Sequence, residues 1–210
     1  CGLFLLLWGA SRVLTGIDSE IQERTWDSQR LSALSPWQMA WGKLLGPAIQ
    51  PWYGGLLCAA VILLAAASKG ELFGVLRWLG AGLLGALALH AVLLALRVYT
   101  LDPQRVPRHG AVSRVLILLF VLMMFARPLL TILGGAESFE WWDLGLSFDS
   151  EILLLYALVA ALAMLALWRA MCRTLLVRTT PWAWVLGCLA LTFILSGMSL
   201  VRQVHGGWTI

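Results

Sequence analysis

Charged residues divide this chain into long apolar runs. No Asp, Glu, Lys or Arg falls between Lys43 and Lys69, Arg77 and Arg97, Glu151 and Arg169, or Arg178 and Arg202. Crossing a hydrocarbon core about 30 Å thick takes roughly 20 apolar residues. Two more runs carry one basic residue each: Cys1 to about Gly16, with Arg12 near its end, and Val115 to about Ala136, interrupted by Arg127. The pattern predicts an all-α integral membrane protein, a polytopic helical bundle forming a single transmembrane domain over 1–210. Six spans are expected, at about 1–16, 47–68, 78–96, 115–136, 152–168 and 180–201.

The stretch 18–46 is different. Asp18, Glu20, Glu23, Arg24, Asp27 and Arg30 alternate with Ile17, Ile21, Leu31 and Leu34. That spacing predicts a short amphipathic helix on a membrane face, ending near Leu34. Ser35-Pro36-Trp37-Gln38 then reads as a fresh helix start, with Ser35 as N-cap, Pro36 at the first helical position and Gln38 closing a capping box. The second helix leads through Gly42-Lys43-Leu44-Leu45-Gly46 towards the bilayer. A second polar stretch, 135–150, sets Glu137, Glu140, Asp143 and Asp149 among Phe139, Trp141, Trp142 and Phe148, with no basic residue. Rings at headgroup depth with acids facing water predict an interfacial or re-entrant segment.

Composition agrees with the pattern. The chain is 60% hydrophobic and 12% charged, against about 25% charged in an ordinary soluble domain. Loop charges give an orientation. With 18–46 in the cytoplasm, that side collects eleven basic residues: Arg12, Arg24, Arg30, Lys43, Arg97, Arg105, Arg108, Arg114, Arg169, Arg173 and Arg178. The outer side receives three, Lys69, Arg77 and Arg202. The net charge of +4 therefore reflects membrane topology, and no nucleic-acid partner is expected. The chain opens on Cys1 with an apolar run already under way, so further sequence is expected in front of it. Cys1, Cys58, Cys172 and Cys188 form no CxxC and read as small apolar residues.

Candidate chemistry inside the spans is sparse. Gly80-Ala81-Gly82-Leu83-Leu84-Gly85 matches GxGxxG, but it follows no strand and reads as small residues packing one helix on another. Gly42 with Gly46, and Gly70 with Gly74, have the same small-residue spacing. His90 lies mid-span and reads as a packing residue; no second His stands at matching depth to share a haem. Arg127-Pro128 admits two readings. Either the helix ends early and Arg127 snorkels to the outer headgroups, or the helix kinks and Arg127 faces a translocation cavity. There is no GxSxG elbow, no HExxH and no pair of intramembrane carboxylates, so the chain is not expected to be an enzyme by itself, and no cofactor or metal is expected.

Thr25, Asp27, Leu34-Ser35-Pro36, Gln38 and Gly42-Lys43, with the acidic Glu20 and Glu23 upstream, resemble the coupling loop of ABC-2-type transporter permeases. Two positions depart from that pattern: Gln29-Arg30 stand where a Leu pair is usual, and Ala33 where a first Pro is common. The resemblance implies an exporter's membrane subunit in a bacterial cytoplasmic (inner) membrane. It further implies a cytoplasmic ATP-binding subunit and a second permease copy or homologue as partners, besides the lipid bilayer. Glu20, Glu23, Arg24, Thr25, Asp27, Arg30, Leu34, Ser35, Pro36, Gln38, Gly42 and Lys43 would contact the ATPase, and His90, Arg127 and Pro128 are candidates for the translocation path. No Walker A motif is present, so hydrolysis would belong to the partner. The other reading is a non-transporting membrane scaffold that assembles a larger complex.

Overall fold

The computed structural model describes residues 2–31, 34–100, 148–178, 182, 185–190 and 192–193. Among the described residues the bounded helices are, in order, α1 Gly2–Gln22, α2 Thr25–Arg30, α3 Pro36–Leu45, α4 Ile49–Lys69, α5 Leu72–Tyr99 and α6 Phe148–Thr174, followed by helical pieces at 182, 185–190 and 192–193. No strand occurs among the described residues. Ile49–Lys69, Leu72–Tyr99 and Ser150–Thr174 are long and apolar enough to cross a membrane. The chain is an all-helical integral membrane protein.

Of the six expected spans, three are seen among the described residues. The expected first span, 1–16, lies inside α1, which is not among the three. Ser11, Arg12, Thr15 and Ser19 lie exposed at helical spacing on α1 and lower its apolar character. The expected span 115–136, most of 180–201 and the outer stretch 135–147 lie outside the described residues. Of the three spans that are seen, α4 falls close to its expected bounds, while α5 and α6 overrun theirs at both ends. α5 begins before Arg77 and runs beyond Arg97 for 28 residues in all, because a charge ends an apolar run without breaking a helix. Turns end the helices instead: Gly70, with φ of 77°, caps α4 in the left-handed region that glycine adopts without steric cost.

Two apolar clusters hold the bundle. The larger gathers Val13 and Ile17 of α1, Trp26 of α2, Met39, Ala40 and Leu44 of α3, Leu94 and Val98 of α5, and Leu167 and Met171 of α6. The smaller joins Leu5, Leu6 and Ala10 of α1 to Ala86, Leu89 and Leu93 of α5. Small residues let helix backbones approach in a membrane, where apolar burial alone gives no advantage over lipid. The GxGxxG run works in this way: Ala81 and Gly85 are buried, and a Cβ on Gly80 would meet Leu153 Cδ1 of α6 at 3.1 Å. Gly42, Gly70 and Gly74 have open space where a Cβ would go, so at these positions no helix packs closely among the described residues.

The helices α5 and α6 run parallel. Gly80 lies by Leu153 at one end, and Arg173 stands over the Tyr99 ring at 5.5 Å at the other. Much of α4 and the first turns of α5 are open among the described residues, with Tyr53, Leu57, Val61, Leu64 and Phe73 exposed, the surface a bilayer would bathe.

Candidate functional site

One end of the bundle carries an elbow built from the last turn of α1, then α2 and α3. The expected separate helix over 18–34 is not what forms: α1 continues through Asp18, Ser19 and Glu20 to Gln22. No breaker stands between Ile17 and Gln22, and Gly16 lets the helix pass close to Pro47, whose Cγ would lie 2.5 Å from a Cβ at that position. The chain turns at Arg24, whose φ of 57° is left-handed, a conformation that costs a non-glycine residue about 1–2 kcal/mol. The Glu23 amide donates to the Ser19 carbonyl at 2.8 Å, and the Thr25 hydroxyl to the Glu20 carbonyl at 3.2 Å. The helix α2 is six residues long.

The start of α3 matches its sequence signature. The Ser35 hydroxyl accepts from the Gln38 amide at 3.2 Å, and the Gln38 side chain accepts from the Ser35 amide at 3.0 Å, with Pro36 at the first helical position. Met39, Ala40, Lys43 and Leu44 form the buried face of α3. Trp37 and Trp41 meet edge to face at 5.9 Å, with Trp37 on the exposed side.

Lys43 is the hub of the elbow. Its residue is only 8% exposed. The ammonium donates to Glu20 Oε2 and Gln29 Oε1 and sits 5.5 Å from the centre of the buried Trp26 ring. One side chain thereby ties α1, α2 and α3 together. A second pair fixes α1 to α5: Arg97 Nε donates to Asp18 Oδ1 at 2.8 Å, and the Arg97 guanidinium is buried. Buried cations persist when paired.

The structure thus brings together Glu20, Lys43 and Thr25 among the residues expected to contact an ATPase, and faces them inward. It leaves Glu23, Arg24, Leu34, Ser35, Gln38 and Gly42 exposed, with Pro36 half-buried. The side chains of Asp27 and Arg30 lie outside the described residues. Leu31, at 89% exposure, and Trp37 add apolar surface to the same elbow. Sequence reading missed Trp26, Gln29 and Arg97 as parts of the site. The available signal was charge matching: two acids at the foot of α1 and a lone Arg at the same end of α5.

His90 stands apart from the elbow, fully buried between α1, α4 and α5. Its ring meets Trp52 edge-on, with centroids 5.8 Å apart. It runs alongside the Leu5 and Leu6 backbone, yet neither ring nitrogen nor Trp52 Nε1 reaches hydrogen-bond geometry with the protein. Arg127 and Pro128 lie outside the described residues. Cys58, Cys172 and Cys188 are free thiols. Among the described residues no three His, Cys, Asp or Glu side chains group closely enough to hold a metal ion. Comparison with family models, with curated proteins and with solved structures returns no match for this chain.

Proposed function

We propose that this chain is the permease subunit of an ABC-2-type exporter, working with a separate ATP-hydrolysing subunit that docks on the α2–α3 elbow. The observation that carries the reading is the elbow itself. A capped helix, α3, is wedged into the apolar core of the bundle by Met39, Ala40 and Leu44 while Glu23, Arg24, Leu31, Leu34 and Trp37 stay exposed beside it. A rigid, amphipathic protrusion at the base of a helical bundle suits transmission of a push from a soluble partner into the spans. Exposed Glu23 supplies charge for steering such a partner. A pair of such subunits would then alternate between inward-open and outward-open arrangements.

A second reading, a non-transporting assembly subunit, is favoured by one feature. Glu20 and Lys43 satisfy each other within the chain, so part of the coupling-loop pattern is spent on folding. Affinity purification of the full chain in mild detergent separates the two. The exporter reading expects a soluble ATPase to co-purify and to be lost when Glu23 and Asp27 are both reversed to Lys. Recovery of membrane partners without an ATPase would overturn it in favour of the scaffold.

A further inference from the structure

Asp18 and Glu20 stand two positions apart in the last turns of α1, and side chains so spaced project about 200° apart around a helix axis. They therefore leave α1 on opposite flanks, and each finds a cation on a different element. Asp18 takes Arg97 of α5, 79 residues on, and Glu20 takes Lys43 of α3. Ile17, between the two flanks, is buried in the core shared with α3, α5 and α6. Both cations are held at low exposure, 8% for each residue, while their acids keep more contact with solvent, 43% for the Asp18 side chain and 22% for Glu20, so solvent screens the Asp18–Arg97 pair more than the Glu20–Lys43 pair.

We propose that the foot of α1 is a two-sided ionic clasp that carries displacement of the α2–α3 elbow to the inner end of α5. Glu20 and Lys43 form the input side, Asp18 and Arg97 the output side, and the intervening helical turn is the rigid piece between them. The elbow is held to α1 by Lys43, so α2–α3 and the end of α1 move as a unit. The Asp18 carboxylate, gripping a guanidinium, delivers that movement to α5. Asp18, Glu20, Lys43 and Arg97 act here as positioning residues. The exporter reading supplies only the identity of the partner that would move the elbow; the clasp itself is a property of this chain.

Hydrogen–deuterium exchange on the full chain in lipid nanodiscs, with no ATPase added, tests it. Glu20→Gln removes the input-side charge without touching α5. The clasp expects amide exchange across 93–100 to rise roughly threefold or more, and Lys43→Gln to give the same signature from the other partner. In an Asp18→Asn background, where the output side is already open, Glu20→Gln should add nothing further at 93–100. A change confined to α2 and α3, or effects of Asp18→Asn and Glu20→Gln that simply add, would overturn the clasp and leave two independent local ion pairs. Because no ATPase is in the assay, this result stands apart from the success or failure of co-purification.

Discussion

The His90 imidazole on α5 fills the space where Gly9 on α1 lacks a side chain. A Cβ at position 9 would lie 2.5 Å from His90 Cε1 and 2.6 Å from Nε2. No real Cβ approaches a ring so closely, so the α1–α5 crossing depends on that glycine. Gly9→Ala is expected to lower stability by about 1–3 kcal/mol, the usual cost of overpacking. Adding His90→Ala should recover part of the loss, because the smaller side chain frees the same volume. Thermal unfolding of the two single variants and the double variant in one detergent measures this; purely additive losses would count against the contact.

Lys43 holds partners on α1 and α2 at once. Lys43→Ala strips the counter-charge from Glu20 and one donor from Gln29, and should destabilise the protein by about 1–3 kcal/mol. The Glu20 side chain keeps 22% exposure, and solvent screening holds the loss below that of a fully buried pair. Pairing Lys43→Met with Glu20→Leu, which removes both charges, should cost less than Lys43→Ala alone. A double-mutant cycle read by chemical or thermal unfolding settles the sign.

Ser35→Ala breaks both halves of the capping box, since the hydroxyl is lost and Gln38 loses its reciprocal geometry. The expected cost is about 1 kcal/mol. Because Ser35 and Gln38 are exposed, it should appear as faster amide exchange at the start of α3, with α4 unchanged. If the elbow must be rigid to pass on a push, the same variant should also weaken retention of an ATPase in the pull-down.

The ion pairs place the feet of α1, α3 and α5 at one end of the bundle, with Gly70 between α4 and α5 at the other. The loop charges predict that the first end faces the cytoplasm. In a variant with its native cysteines replaced, Leu31→Cys should react with a membrane-impermeant maleimide only from the cytoplasmic face. Lys69→Cys should react only from the opposite face. Labelling of both positions from one side would overturn the topology.

Much of the architecture was legible along the chain. The three long apolar helices fall where uncharged runs predicted them, since partition into hydrocarbon depends on composition over about 20 residues. The start of α3 was legible to the residue, because Ser35, Pro36 and Gln38 act on amides within one turn of themselves. Helix ends marked only by charge were misjudged. Arg77 and Arg97 close apolar runs while the backbone continues through them, and the turn at Arg24 carries no glycine or asparagine to announce it.

The features legible along the chain are therefore local or additive: a helical, membrane-embedded chain with a capped helix beside a charged loop. It took the packed bundle to turn Glu20 and Lys43 towards each other while Glu23 faces outward, to bring Arg97 back 79 residues to Asp18, and to set Gly9 where it makes room for His90. These choices follow from how helices approach one another. An ion pair or a close crossing depends on the distance and rotation between two elements, and those are set by packing, which no single stretch of residues encodes.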